Sequence, residues 1–315
     1  MQQQTWHPGD LESIPCDLCK RFETRDLFRR PDGMQVVQCV NCGLAYLNPR
    51  SRPEMVARLY DQEYYNNSNC CRGVGYSADY LGASNREAMI SNAESKLCLI
   101  HQLWEPLGKK SLEVGCATGE FSYVLKQCGA DPVAIDLSDF VIAEARKRQA
   151  GIDFRVGGIE VFHEAAMFDA VFAFEVIEHV LSPCAFLGMA RQLLKPGGLL
   201  VLSTPNLGCA EAIGYEKWLG FQISFEHLYF LAPEPLKKMA QQQGLSLAAW
   251  FTGGGSGAFS IPQESRFKSA TRKMLEVVKL LDFIRTIRGR PPHQASAYTA
   301  GGHQHNLLAI LAKAS

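Results

Sequence analysis

Between residues 110 and 203, short apolar runs alternate with stretches whose apolar residues recur every three or four positions. The runs cover 111–114, 132–135, 152–156, 170–174 and 199–203. The helical stretches cover 121–128 and 140–148, and another closes at Lys195-Pro196-Gly197-Gly198. Runs of four to seven apolar residues read as strands buried on both faces, and amphipathic stretches between them supply the covering helices. This alternation predicts a doubly wound α/β domain built on a parallel sheet, with ligands at the carboxyl ends of its strands. Two later runs, at 245–251 and 306–311, read as further strands, the last one returning to the sheet. Before the alternation begins, residues 85–104 form a polar helical stretch.

The 315 residues carry 47% hydrophobic side chains and 32 basic against 32 acidic ones, a balance that excludes a disordered chain and any whole-protein attraction to nucleic acid or membrane. The start MQQQTWHPGD has neither the basic nor the apolar stretch of a signal peptide, so a cytoplasmic location is expected. Eleven cysteines, an odd number in a long chain, fit reduced thiols and metal ligation better than disulfides. Four of them form the pairs Cys16-x-x-Cys19 and Cys39-x-x-Cys42, nineteen residues apart, each with the bite that presents two thiolates to one tetrahedral ion. Residues 1–50 are therefore expected to form a zinc ribbon, with Gly43 turning the second knuckle and Val36 and Val37 in a short strand. Four thiolates leave no open coordination position, so this zinc is structural. Arg21, Arg25, Arg29 and Arg30 could touch nucleic acid, but Glu12, Asp17, Glu23, Asp26 and Asp32 offset them locally.

Residues 51–105 read as a cap whose Tyr60, Tyr64, Tyr65, Tyr76 and Tyr80 suit either a ligand pocket or ordinary packing. Residues 106–258 form the expected catalytic domain. Its first strand ends in Leu112-Glu-Val-Gly-Cys-Ala-Thr-Gly119, where Gly115 and Gly119 let backbone approach a ligand. The loop lacks the Gly-x-Gly-x-x-Gly spacing of pyrophosphate binders and includes the acid Glu113, which favours a cationic ligand such as a sulfonium. Asp136 ends the second strand where a carboxylate accepts ribose hydroxyls.

Taken in order, LEVGCATGEF, AIDLS, FDAVFAFEVIEHV and LLKPGGLLVLSTPN resemble the class I S-adenosylmethionine-dependent methyltransferases over about residues 105–250. The resemblance implies a Rossmann-like, seven-stranded, mostly parallel sheet and S-adenosylmethionine as cofactor. Glu113, Gly115, Gly119 and Asp136 would hold it with Leu137, Cys116 and Phe174 would lie beside it, Glu175 would end the fourth strand, and Gly158 and Ile159 would bind it after the third strand, where Gly157-Gly158-Ile159 replaces the acid that often meets the adenine amino group. Ala117 replaces the middle glycine of the family loop. The ribbon, the stretch CGLAYLNPR at 42–50 and EHLYF at 226–230 further resemble a bacterial subgroup with an N-terminal zinc module that often modifies sugars, surface glycans or secondary metabolites. A sugar, glycan or secondary-metabolite hydroxyl is the implied acceptor, with nitrogen or carbon as alternatives.

Methyl transfer needs an aligned acceptor and a group to take its proton. Glu175, Glu178 and His179 occur as Glu-x-x-Glu-His and would share one face if a helix has begun there. His179 or His227 is expected as base, with Glu178 holding an imidazole. The same string resembles the divalent-metal site of ubiquinone-biosynthesis and small-RNA 2'-O-methyltransferases, in which His227 would be the downstream ligand. A catalytic divalent metal is therefore the alternative, and a non-catalytic nucleic-acid-binding module a further one. After the glycine run 253–257, residues 259–300 form a basic insertion. Its stretch 266–290, with eight Lys or Arg and two acids, suits a solvated helix or peripheral membrane contact. The final strand belongs to 301–315, and the sequence is silent on oligomeric state.

Overall fold

A computed structural model describes residues 8–54, 82–101, 103–222, 226–253 and 305–314. The five tyrosines of the expected cap, the glycine run beyond Gly253 and the basic stretch 266–290 lie outside the described residues. The N-terminal region contains β1 (Leu11–Glu12), β2 (Thr24–Arg29), β3 (Gln35–Cys39), β4 (Ala45–Leu47) and β5 (Arg50–Ser51), followed by helix α1 (Ala83–Ile100). Strands β2, β3 and β4 form an antiparallel meander, and β1 pairs with β5.

The alternation expected from the sequence follows as β6 (Lys110–Val114), α2 (Glu120–Gln127), β7 (Asp131–Asp136), α3 (Asp139–Arg148), β8 (Asp153–Val156), β9 (Phe168–Phe174), α4 (Pro183–Leu193) and β10 (Leu194–Pro205). Beyond it come α5 (Leu207–Ile213), α6 (Leu219–Gln222), β11 (Tyr229–Phe230), α7 (Pro233–Gln242), β12 (Leu245–Gly253) and β13 (Asn306–Lys313). Seven strands form one sheet in the order β12-β13-β10-β9-β6-β7-β8. Only β13 runs against its neighbours, so the sheet is mostly parallel, as expected. The chain lays down β6, β7 and β8 towards one edge and returns to place β9 on the other side of β6. That reversal opens a crevice at the carboxyl ends of β6 and β9.

Both faces of the sheet are covered, which explains the near-continuous apolar runs. On β9, Val171 and Ala173 join the core beneath α4 and α7, while Ala170 and Phe172 join Trp104, Phe121 and Leu97 on the side of α1 and α2. The first of these cores also contains Val36, Val37, Leu44 and Tyr46 of the N-terminal region. The N-terminal sheet is completed by β11, which pairs with β4 through Tyr229↔Tyr46 and Phe230↔Ala45. Among the described residues no helix is long and apolar enough to cross a membrane.

One expectation is corrected here. Residues 175–182 form turns rather than the start of a helix, and Glu175 itself has a φ of +54°. The helix waits for Ser182, whose side chain accepts from Ala185 N at the N-cap, with Pro183 at the first helical position. A smaller difference is that β10 starts at Leu194, five residues before the expected 199, through an irregular pairing that ends at Leu199.

Candidate active site

The loop after β6 is built on left-handed backbone at Gly115 (φ +71°), Ala117 (φ +46°) and Gly119 (φ +80°). A Cβ on Gly115 would stand 2.6 Å from Val176 Cγ2, and one on Gly119 2.6 Å from Phe154 Cζ, so both positions require glycine twice over. Ala117 adopts the same conformation at a cost of roughly 1 kcal/mol, and its N–H donates to Asp136 Oδ2 at 3.0 Å. The other oxygen of Asp136 accepts from Ser138 N at 3.0 Å, so this carboxylate ties the loop of β6 to the end of β7. Glu113 Oε2 accepts from the backbone N–H and the hydroxyl of Ser122 in the first turn of α2. Burial pushes the Glu113 carboxyl up to about 8.

At the end of β9, Phe174 stacks edgewise on Phe121 with ring centroids 4.7 Å apart. Lys96 of α1 reaches over the Phe174 ring, its Nζ 4.3 Å from the centroid. Burial lowers the Lys96 ammonium below the usual lysine range, while Glu175 and Glu113 act against that shift. Glu175 N donates to Ser203 O at 2.9 Å, and its Oε1 accepts from the Ser203 hydroxyl at 2.6 Å.

Four residues past β9 the backbone turns Glu178 and His179 inward to meet His227. One ligand atom from each of the three lies within 4.8 Å of the others. Glu178 Oε1 stands 3.8 Å from His179 Nε2 and 3.9 Å from His227 Nε2. The imidazoles meet edge to face, with centroids 4.6 Å apart. These separations are too long for hydrogen bonds and of the order of the spacing between ligands about an ion with ~2.1 Å bonds. Among the described residues neither Glu178 oxygen, nor His227 Nδ1, has a hydrogen-bond partner of normal geometry, although the site is buried. Burial lowers His179 to about 4, against a hydrogen bond to the Glu226 backbone, and drives His227 well below its ordinary value, with His179 and Arg30 adding to that shift. Both rings are thus neutral near pH 7. Burial, then the charges of Glu175 and Glu226, raise the Glu178 carboxyl well above the carboxylate range, and the Thr204 hydroxyl acts in the other direction. A buried acid whose only donors, a backbone N–H of its own residue and the Thr204 hydroxyl, fall short of normal hydrogen-bond geometry is costly between two neutral imidazoles unless it holds a proton or a cation.

The model of a methyltransferase domain matches residues 89–249, just over half of the chain. The chain belongs to the methyltransferase-domain family. Two curated relatives are named ubiquinone biosynthesis O-methyltransferase. The one from Xanthomonas axonopodis pv. citri is 36% identical over 155 residues, covering 45% of this chain and 65% of its own. The one from Bradyrhizobium sp. is 40% identical over 158 residues, covering 47% and 59%. The chain therefore spans less than two thirds of the length of either. Magnesium protoporphyrin IX methyltransferase from Synechocystis PCC 6803, solved with bound SAH, aligns at 15% identity and a TM-score of 0.48 over 80% of this chain and 98% of that one.

Within the methyltransferase domain, Glu113, Gly115, Gly119, Asp136, Phe174 and Glu175 stand at the carboxyl ends of β6, β7 and β9, around the crevice. Cys116 turns beneath the loop into a small cluster with Ala134, Ile142 and Phe154, and burial raises its thiol well above the usual value. Leu137 is 58% exposed beside Asp136. Gly158 begins the turn after β8, held near Asp136 by the bond from Gly157 N to Asp136 O, whereas the Ile159 side chain enters the main core. Glu175 does not join the cluster of Glu178, because its left-handed backbone and its bond to Ser203 take it elsewhere.

Lys96 is the site residue that sequence reasoning missed. The readable signal was its spacing, three after Ala93 and four before Ile100, which puts a lysine on the face of α1 that the domain buries.

The thiols of Cys16, Cys19, Cys39 and Cys42 lie outside the matched domain and also converge within 4.8 Å. Cys16 and Cys42 sulfurs are 3.4 Å apart, as are those of Cys19 and Cys39. A tetrahedron with ~2.3 Å metal–sulfur bonds has edges of about 3.8 Å, so a small expansion admits one ion. Burial opposes ionisation of Cys39, but backbone N–H groups of Cys42 and Asn41 outweigh it and bring the thiol down to about 7. Burial raises Cys42 to about 11 and Cys16 further.

Proposed function

We propose that the chain is an S-adenosylmethionine-dependent O-methyltransferase that presents its acceptor hydroxyl to the cluster of Glu178, His179 and His227. The observation that carries this reading is the placement of that cluster just beyond β9, at the same crevice as the glycine loop of β6. In-line transfer forms a carbon–oxygen bond as the carbon–sulfur bond of the sulfonium breaks, leaving a thioether and releasing the acceptor's proton.

The loop at 115–119 would bring backbone against the cofactor, Asp136 would accept ribose hydroxyls, and Lys96 would meet the carboxylate of its amino-acid end. A histidine base, the expectation from sequence, is weakened by burial: an imidazole brought down to about 4 accepts a proton poorly at neutral pH. The two neutral rings and the Glu178 carboxylate instead form a donor set that fits a divalent ion of borderline softness. Such an ion, when bound, lowers the pKa of a hydroxyl in contact with it. His179 keeps its ring orientation through the Glu226 carbonyl, and Glu178 is held by backbone bonds from Leu228 and Tyr229 to its carbonyl at 2.9 and 3.1 Å. We assign Cys16, Cys19, Cys39 and Cys42 to a structural zinc.

The names of the curated relatives, which point to ubiquinone biosynthesis, favour a different acceptor from the sugar or glycan expected from the sequence. The acceptor class put forward is accordingly a hydroxylated small molecule, with a ubiquinone precursor as the first to try. The test incubates the zinc-loaded protein with methyl-labelled S-adenosylmethionine and hydroxylated ubiquinone precursors, with and without Mn²⁺. Label in the ether product, dependent on the added ion, supports the reading. Label that survives a chelator, with ribbon zinc retained, refutes the role of the ion. Failure to bind S-adenosylhomocysteine refutes the whole.

A further inference from the structure

The loops that carry the catalytic cluster belong to no helix or long strand, yet they are held from one side by the N-terminal region. Asp17 lies inside the first knuckle, between Cys16 and Cys19. Its carboxylate accepts from the Ser182 hydroxyl and from Cys184 N, both at 2.8 Å, and so anchors the far end of the turn that begins at Glu178. Arg30 follows β2 and is almost wholly buried. Two of its nitrogens engage Asp32, and Nη1 donates to the carbonyl of His227 at 3.1 Å. Arg50 donates through Nη1 to Leu181 O at 2.6 Å while its Nε meets Glu12 at 3.0 Å. Leu47 N donates to Leu228 O at 2.9 Å, next to the β4–β11 pairing. The residues on either side of the cluster are thus gripped at 181, 182, 184, 227 and 228–230 by side chains and backbone of residues 17–50.

We propose that Asp17 and Arg30 are positioning residues, through which the thiolate-bound N-terminal region sets the alignment of His227 with Glu178 and His179. A ribbon serving only as a folded appendage would place neither a carboxylate nor a guanidinium on the backbone of the catalytic loops. Positioning groups of this kind typically govern metal affinity by ten- to a hundredfold. The inference rests on the catalytic reading of the cluster.

The test uses the full chain, zinc-loaded and labelled at histidine, with ring signals of His179 and His227 assigned by His179→Gln and His227→Gln. Arg30→Lys keeps a positive charge beside Asp32 but lacks the fork that also reaches His227. Asp17→Ala removes the acceptor for residues 182 and 184. In long-range ¹H–¹⁵N spectra both variants are expected to shift or broaden the His227 and His179 signals. Zinc content and the dissociation constant for S-adenosylhomocysteine stay within about twofold of wild type, and Mn²⁺ affinity at the cluster falls about tenfold. Arg25→Gln, on the strand that leads to Arg30 but exposed and bonded to Gln38, leaves all of these unchanged. Ring signals unmoved in folded, zinc-loaded Arg30→Lys and Asp17→Ala overturn the proposal. Should Arg30→Lys not fold, Asp17→Ala and the milder Asp17→Asn decide. A wild type that binds no Mn²⁺ refutes the divalent-ion reading alone, because the ring signals are read before any Mn²⁺ is added.

Discussion

Replacing Lys96 with methionine keeps the length of the side chain and its contact with the Phe174 ring while removing the ammonium 4.3 Å from that ring's centroid. The side chain is half-buried with its ammonium facing Glu175 and Glu113, so it is already partly desolvated before any ligand arrives. A hydrogen bond between a charged donor and a carboxylate contributes about 1.5–3 kcal/mol, and each 1.4 kcal/mol is a factor of ten. Lys96→Met should therefore weaken S-adenosylhomocysteine, which carries the amino-acid carboxylate, by roughly 10- to 150-fold. It should leave 5'-methylthioadenosine, which lacks that end, within about twofold. The lost contact of the cation with the ring contributes about 1–2 kcal/mol to stability at a partly desolvated site, so the variant should fold. Titration calorimetry of both ligands on wild type and variant measures the difference directly. Equal losses for the two ligands, or an unchanged affinity for S-adenosylhomocysteine, would refute the assignment of Lys96 to the carboxylate.

Gly119→Ala forces a side chain into left-handed backbone and against Phe154, and urea unfolding should show a loss of about 2–3 kcal/mol. Glu178→Gln should cut methyl transfer by about a hundredfold or more and abolish its dependence on Mn²⁺. S-adenosylhomocysteine binding, measured calorimetrically, should not change. Cys42→Ser should lower tightly bound zinc, measured by elemental analysis, from about one per chain towards none. Asp169 opposes burial by accepting from Lys195 at 2.8 Å and from Lys110 N at 3.0 Å, which holds its carboxyl below the ordinary 3.8. A depressed carboxyl contributes stability that is present above that ordinary value and lost as pH falls through the folded one. Asp169→Asn should thus cost about 1 kcal/mol near pH 7, and the difference should vanish towards pH 2–3 in acid titrations followed by circular dichroism.

The sheet was legible because strands buried on both faces must be apolar along their whole length, as β9 and β10 are. The loop of β6 was legible because left-handed backbone beside a ligand leaves few residue choices, though Ala117 shows that the choice is not absolute. The helical reading of residues 175–179 failed because spacing alone cannot show where a helix starts. Ser182-Pro183 was the competing signal, and a cap followed by proline outranks periodicity. His227 was a candidate by resemblance, but its meeting with Glu178 depends on the turn after β9 and the short strand β11, which no local pattern encodes. The same holds for Arg30 and Asp17, whose partners lie 197 and 167 residues away along the chain.

The borrowed strand has a bearing on ancestry. An N-terminal sheet whose outer strand is Tyr229–Phe230 cannot be gained or shed at a single cut in a gene. Recombination that brought residues 1–50 to a methyltransferase domain lacking a matching edge would leave β4 with unpaired amides and the loop of His227 without its brace. Variation in the knuckle and in the segment 226–231 should therefore be inherited together, although nearly two hundred residues separate them.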